Sequence, residues 1–181
     1  MNSWHTDYHS PNRGLSFEIN ESQYRESSPY QTIEIVQTPE FGKVMLLDGV
    51  LMLTEKDEFV YHEMLCHPSL LTHPQPEKVL IIGGGDCGTL KRVLQHPAVR
   101  KAVQVEIDEM VSRVAKTFFP QLYEASQDPR AELRFEDGIA YLKDKASEFD
   151  VILVDSTDPV GPAEGLFRMS FLADCHKALK A

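Results

Sequence analysis

Two rhythms divide this chain. Between residues 15 and 54 apolar positions recur every second residue. Leu15-Ser16-Phe17-Glu18-Ile19 alternates, and so does Thr32-Ile33-Glu34-Ile35-Val36. A period of two is the mark of a strand with one buried face. Lys43-Val44-Met45-Leu46-Leu47 and Val50-Leu51-Met52-Leu53 flank Asp48-Gly49, a pair suited to the positive φ angles of a two-residue hairpin turn. The pattern predicts a small antiparallel β unit over residues 1–54. Within it, residues 1–14 are polar, turn-rich and expected to be loosely held.

The remainder, residues 55–181, reads as one larger domain. Thr54-x-x-Asp57 has the form of a capping box with Asp in place of Glu or Gln. It opens a predicted helix over about 55–66, which Pro68 should end or kink. Pro74-Gln75-Pro76 is the clear linker. After it, strand and helix patterns alternate. Strand Val79–Ile82 precedes a helix over 89–96. Strand Ala102–Ile107 precedes a helix over 109–118, stopped by Pro120. Strand Glu132–Glu136 precedes a short helix near 138–145, and strand Val151–Val154 precedes a helix near 164–179. Continuous apolar strands of this kind belong to a parallel sheet covered on both faces. The expected fold is α/β, a Rossmann-like doubly wound parallel sheet with the small β unit at its N-terminus. Val151–Val154 is apolar throughout, so an open edge there points to further strands.

Composition narrows the chemistry. The chain has 181 residues, with 28 acids against 18 bases and a net charge of −10. That balance argues against a nucleic-acid surface. No apolar run approaches the length of a membrane span, and the start of the chain lacks the apolar core of a signal peptide. Three widely spaced cysteines and seven histidines show neither a disulfide framework nor metal-ligand spacing. No metal is expected, and the setting is expected to be cytoplasmic.

The chemistry gathers where the strands end. In a doubly wound sheet ligands bind outside the carboxyl ends of the strands. Gly83, Gly85 and Gly88 fit G-x-G-x-x-G between the first strand and its helix. Asp86 lies inside this turn, where a carboxylate repels a pyrophosphate and suits a cationic ligand. This leans away from a dinucleotide enzyme. Glu106 stands 18 residues beyond Gly88, where an acid can accept hydrogen bonds from two ribose hydroxyls; the spacing serves NAD and an adenosyl sulfonium alike. Asp137-Gly138 can hold an adenine amino group or cap the next helix. Asp155-Ser156-Thr157-Asp158 sets two acids three apart in a loop stiffened by Pro159 and Pro162. Cys87, at the head of a helix, is either a thiol of lowered pKa or an inert small residue.

Together these stretches resemble the spermidine synthase family, the polyamine aminopropyltransferases. The resemblance rests on Ile81-Ile82-Gly83-Gly84-Gly85-Asp86, Val105-Glu106-Ile107-Asp108, Asp137-Gly138 and Asp155–Pro162. It extends to Phe41–Met45, Leu47–Val50 and Thr54–Met64, in order from about residue 15 onward. It implies an S-adenosylmethionine-methyltransferase-like fold that transfers an aminopropyl group from decarboxylated S-adenosylmethionine to putrescine or a similar amine. No separate cofactor is implied, and a homodimer or homotetramer is. By resemblance Gln31, Leu47, Glu106, Asp137, Gly138 and Pro162 contact the nucleoside, with Gly83, Gly85 and Asp86 at the donor. His62, Asp86, Asp155, Ser156, Thr157 and Asp158 contact the amine. Asp155 is the implied proton acceptor, with Tyr61 nearby. Cys87 stands where the family usually has Gly, and Met52 where it generally has Gln. Family members also run about a hundred residues further. Two other readings of the same scaffold are a putrescine N-methyltransferase using S-adenosylmethionine and a truncated, non-catalytic homologue.

Overall fold

A computed structural model describes residues 3–159 and 161–181. Its backbone forms two compact units, divided between Glu58 and Phe59. The first unit is entirely β. Strands β1 (Ser3–Ser10) and β2 (Arg13–Ile19) form an antiparallel hairpin. Strands β3 (Glu21–Ser27), β4 (Thr32–Thr38), β5 (Gly42–Leu47) and β6 (Val50–Thr54) form a four-stranded sheet in that order.

Residues 3–10 are therefore a strand, contrary to the loosely held segment expected. Their polar pattern hides it because most side chains face solvent. Among them the buried anchor is Asp7, whose Oδ2 accepts a hydrogen bond from Leu51 N at 3.2 Å. The expected hairpin turn is present: Asp48 and Gly49 both take positive φ, 50° and 82°, as a type I′ turn requires. Val36, Val44 and Leu46 pack with Phe17 in the core of this unit, and Ile33 and Ile35 are buried on the other face of the sheet.

The second unit opens with helix α1 (Glu58–Thr72). Thr54 and Asp57 do bond to each other, and Asp57 N donates to Thr54 Oγ1 at 3.2 Å. The helix begins only after that turn, and it continues through Pro68. Pro in a helix interior costs about 3 kcal/mol. Cys66 and Leu70 flank Pro68 in the core, and burial of side chains of that kind, worth about 1.5–3 kcal/mol for a Leu, offsets it.

A parallel sheet follows, built from β7 (Lys78–Gly83), β8 (Lys101–Glu106), β9 (Ala131–Phe135) and β10 (Val151–Asp155). Their order is β10-β7-β8-β9. Alternate residues of β7 feed two cores. Val79 and Ile81 pack on one face with Leu90 and Val93, and Leu80 and Ile82 on the other with Leu142, Phe149 and Phe171. Helices α2 (Gly88–Leu94), α3 (Glu109–Phe118), α5 (Gly138–Leu142) and α6 (Met169–Ala178) follow the four strands in turn, with the short α4 (Pro120–Tyr123) after α3. Pro120 ends α3 and also starts α4 at its first position, where a missing N–H is harmless. The single helix expected near 164–179 is instead a 3-10 turn, Gly161–Phe167, and then α6. Arg168, with extended backbone (φ −84°, ψ 146°), separates them.

The chain runs from β7 outward to β8 and β9 on one side and then returns to place β10 on the other, which puts the switch point between β7 and β10. This is where open α/β sheets bind ligands. Gly83 and Asp155, the last residues of those strands, pair across it.

Candidate active site

The glycine corner is shaped by Asp155. Gly83 has φ 84°, and a Cβ there would collide with the Asp155 carbonyl oxygen. Gly84 N donates to that same oxygen at 2.9 Å. Only a residue without a side chain lets the two backbones approach this closely.

Asp155 is 9% exposed and carries two hydroxyl donors. Tyr61 Oη donates to Oδ1 at 2.9 Å, and Thr89 Oγ1 donates to Oδ2 at 2.6 Å. Its pKa is raised above the usual carboxylate value, first by burial and then by the neighbouring charge of Asp86. The two hydroxyls and His62 oppose that rise. Tyr61 is raised as well, by burial and by the Asp155 charge, so it remains a donor.

Asp86 closes an Asx turn: its Oδ1 accepts from Gly88 N at 2.6 Å and faces His62 Nε2 at 3.4 Å. Both contacts fall on one oxygen, which leaves Oδ2 to a cation. His62 is 2% exposed, and its ring meets Tyr61 edge-on at a centroid distance of 5.4 Å. It therefore sits behind Asp86 and positions it.

Glu106, 8% exposed, ends β8. Its Oε2 accepts from Gly85 N at 3.1 Å and its Oε1 from Asp108 N at 2.8 Å. Burial raises its pKa to about 7, against the pull of the two backbone donors. Ser112 Oγ donates to Gly85 O at 2.7 Å and fixes the corner from α3. Asp137 caps α5, with Oδ1 accepting from Ile139 N at 2.8 Å. The second oxygen of an exposed cap is still able to take an adenine amino group.

The other expected site residues lie on the loop that follows Asp155 or in the other unit. Ser156 and Thr157 are half-buried and their hydroxyls bond to the next carbonyl along the loop. Asp158 is exposed. Val160 and the Pro162 side chain lie outside the described residues. Gln31 and Leu47 belong to the first unit. Gln31 closes the β3–β4 turn with Ser28, and Leu47 ends β5.

Two supporting residues were not anticipated. Thr89 follows Gly88 directly, but only the placing of β10 beside β7 aims its hydroxyl at Asp155. Ser112 is likewise invisible without the α3–corner contact. Cys87 is the inert alternative. It is fully buried in left-handed backbone (φ 69°), and burial with the charges of Asp86 and Glu106 pushes its thiol up to about 12.

Comparison with known proteins places this arrangement. The spermine/spermidine synthase domain matches residues 58–181 and the spermidine synthase tetramerisation domain matches residues 3–55. The chain belongs to the spermidine synthase family. A curated polyamine aminopropyltransferase of Thioalkalivibrio sulfidiphilus is 53% identical over 179 residues, covering 98% of this chain and 63% of that protein. One of Xanthomonas euvesicatoria is 52% identical over 180 residues, with the same coverage. The spermidine synthase of Thermotoga maritima superposes with a TM-score of 0.93 at 45% identity, over 98% of this chain and 60% of that one. A spermidine synthase in complex with the transition-state analogue AdoDATO gives a TM-score of 0.95 at 45% identity, over 98% and 61%. This chain thus spans about 63% of the length of these curated relatives. Among the described residues no helix is long and apolar enough to cross a membrane.

Proposed function

We propose that the protein transfers an aminopropyl group from decarboxylated S-adenosylmethionine to putrescine or a similar amine, giving spermidine and methylthioadenosine. No metal or organic cofactor takes part in this reading. It places the protein in the cytoplasm as a homodimer or homotetramer, with the N-terminal unit serving assembly. The observation that carries it is the buried Asp155 of raised pKa, held between two hydroxyls and facing Asp86. Relatives named for this activity support it.

The chemistry follows from the charges. An alkylammonium has a pKa near ~10.4, so presenting it neutral at pH 7 costs about 4.6 kcal/mol. Asp155 takes that proton in contact. The freed nitrogen attacks the carbon beside sulfur. The C–S bond breaks, and its electron pair stays on sulfur as the neutral thioether of methylthioadenosine. Glu106 accepts the ribose hydroxyls, Asp137 with Gly138 takes the adenine edge, and Gln31, Leu47 and Pro162 complete the nucleoside contacts. Ser156, Thr157 and Asp158 hold the far amine. Gly83 and Gly85 let the donor approach the corner. Incubation with putrescine and each donor, followed by mass analysis, tests this. Spermidine and methylthioadenosine from the decarboxylated donor are expected. N-methylputrescine from S-adenosylmethionine, with no spermidine, would overturn it.

Two further outcomes are expected. Thr89→Val removes the donor to Asp155 Oδ2, a hydrogen bond to a charged group worth about 1.5–3 kcal/mol. Turnover should fall about tenfold or more. Because the hydroxyl holds the Asp155 pKa down, the acid limb of the pH–rate profile should move to higher pH. The second concerns Glu106, whose folded pKa is raised to about 7. A raised acid favours the folded state below its unfolded pKa, and this contribution is lost as pH rises through about 7. The nucleoside binds the ionised form. Methylthioadenosine should therefore bind about tenfold more weakly at pH 6 than at pH 8, by the proton-binding ratio one unit below a pKa of 7. Calorimetric titration checks this, and Glu106→Gln should flatten the difference.

A further inference from the structure

Helices α1 and α2 meet along a ladder of three polar contacts. Its first rung is His62 against Asp86 and Gly88. The second is Glu63 to Arg92, with Oε1 to Nε at 3.6 Å. The third lies at the other end of the two helices and serves nothing in the aminopropyl reading. There His67 Nδ1 and His96 Nε2 are 2.8 Å apart, with ring centroids at 5.0 Å. The thiol of Cys66 joins them, so that its sulfur and one nitrogen of each ring lie within 4.8 Å of one another.

The surroundings fix these groups in place. Cys66 follows His62 by one helical turn on the buried face of α1. His96 sits just past α2 in a turn whose carbonyls are gathered by one side chain. Arg130 donates to Leu94 O at 2.7 Å, to Val99 O at 3.1 Å and to His96 O at 3.4 Å. Two facing imidazole nitrogens in contact share one proton, so at least one of the two carries a lone pair, the form in which imidazole binds metals. Burial and the neighbouring His67 lower the pKa of His96.

We propose that Cys66, His67 and His96 form a binding site for a zinc-type transition-metal dication, with water in the fourth position. One sulfur and two imidazoles match the borderline-soft preference of zinc. Zn–N bonds of about 2.0–2.1 Å at tetrahedral angles set the nitrogens ~3.4 Å apart, so the rings part by only about half an ångström. The Cys66 thiol, pushed up to about 12 by burial with Arg92 opposing, exchanges its proton for the metal. One sulfur–metal bond forms and one proton leaves to buffer. The ion pins α1 to the end of α2, the two helices whose other ends carry Tyr61, His62 and Thr89. The site stands apart from the carboxylate pocket, so it holds whether or not the proposed transfer does.

Cobalt and zinc binding to chelator-treated protein tests this. Co²⁺ should give visible bands of tetrahedral intensity and a near-ultraviolet thiolate-to-cobalt transition. Zn²⁺ at 100 times its Kd should raise Tm by about 5–10 °C and release about one proton per ion in calorimetry. Cys66→Ser should abolish the thiolate band, and His67→Gln and His96→Gln should each weaken binding at least tenfold. Should Cys66→Ser fail to fold, the two histidine variants decide, since neither side chain is fully buried. No thiolate band in the parent protein would overturn the site. So would an unchanged zinc shift in both histidine variants.

Discussion

Asp155→Asn should lower turnover by about 10²–10⁴-fold, the range for removing a positioned general base. The substitution is close to isosteric. Its amide oxygen still accepts from one of Tyr61 and Thr89, and its amide nitrogen donates to the other hydroxyl once that hydroxyl turns. The fold should hold, since a buried charge that burial disfavours is exchanged for a neutral group. Affinity for methylthioadenosine should stay within a few-fold of the parent, because in the proposed reaction Asp155 acts on the amine. The incoming amine must then lose its proton to water, and the cost of about 4.6 kcal/mol at pH 7 reappears in the barrier. Steady-state rates beside circular dichroism and nucleoside titration separate these outcomes. Turnover within tenfold of the parent would remove Asp155 from the role.

Gly83→Ala should be the most damaging single change to the fold. The new Cβ meets backbone, the Asp155 carbonyl oxygen, at a residue with φ 84°. Backbone cannot rotate aside as a side-chain tip can. Relief means parting β7 from β10 at their last pair, Gly83 with Asp155. It also breaks the Gly84 N to Asp155 O bond. Overpacking of about 1–3 kcal/mol adds to backbone strain of about 1–3 kcal/mol. Against a typical total of about 5–15 kcal/mol, that removes a large share of the stability and should lower Tm by about 5–20 °C. Gly161→Ala is the control. Its φ is also positive, at 58°, but its added Cβ meets nothing within 4 Å. Strain alone, about 1–2 kcal/mol, should lower Tm by a few degrees. Similar denaturation midpoints for the two variants would contradict this reading of the corner.

The contrast shows what was readable from residues alone. Val79–Ile82 with its glycines announced a strand and a ligand-binding turn, because buried parallel strands are continuously apolar. Asp48-Gly49 announced its hairpin because few pairs tolerate two positive φ angles. What local pattern could not carry was order across the sheet. That β10 lies beside β7 decides that Thr89 meets Asp155, and that order depends on how crossovers pack. Pro68 misled because a local rule was overridden by the core positions of Cys66 and Leu70. Residues 3–10 misled because a solvent-facing strand has no apolar alternation to read. His96 follows His67 by 29 positions, and only the α1–α2 contact makes them neighbours.

The site's acids were visible, and so was the helix cap at Asp137, but the backbone donors that hold Glu106 were not. Glu106 and Asp137 make backbone hydrogen bonds that shape the corner and cap α5. His62, expected at the amine, is buried behind Asp86 and sets its direction. The pocket is therefore an arrangement of carboxylates, each held by donors from its own loop, with Asp86 at the mouth of the glycine turn.

That arrangement makes one central claim: Asp86 reads the donor by pairing with its ammonium and repelling a carboxylate in the same place. A like-charge contact at ~4 Å is worth about 1–4 kcal/mol, or about five- to several-hundred-fold in preference. The direct measurement is the ratio of kcat/KM for decarboxylated and intact S-adenosylmethionine, in the parent protein and in Asp86→Asn. The parent should favour the decarboxylated donor by that margin, and the variant should lose most of it. An unchanged ratio in Asp86→Asn would contradict the claim.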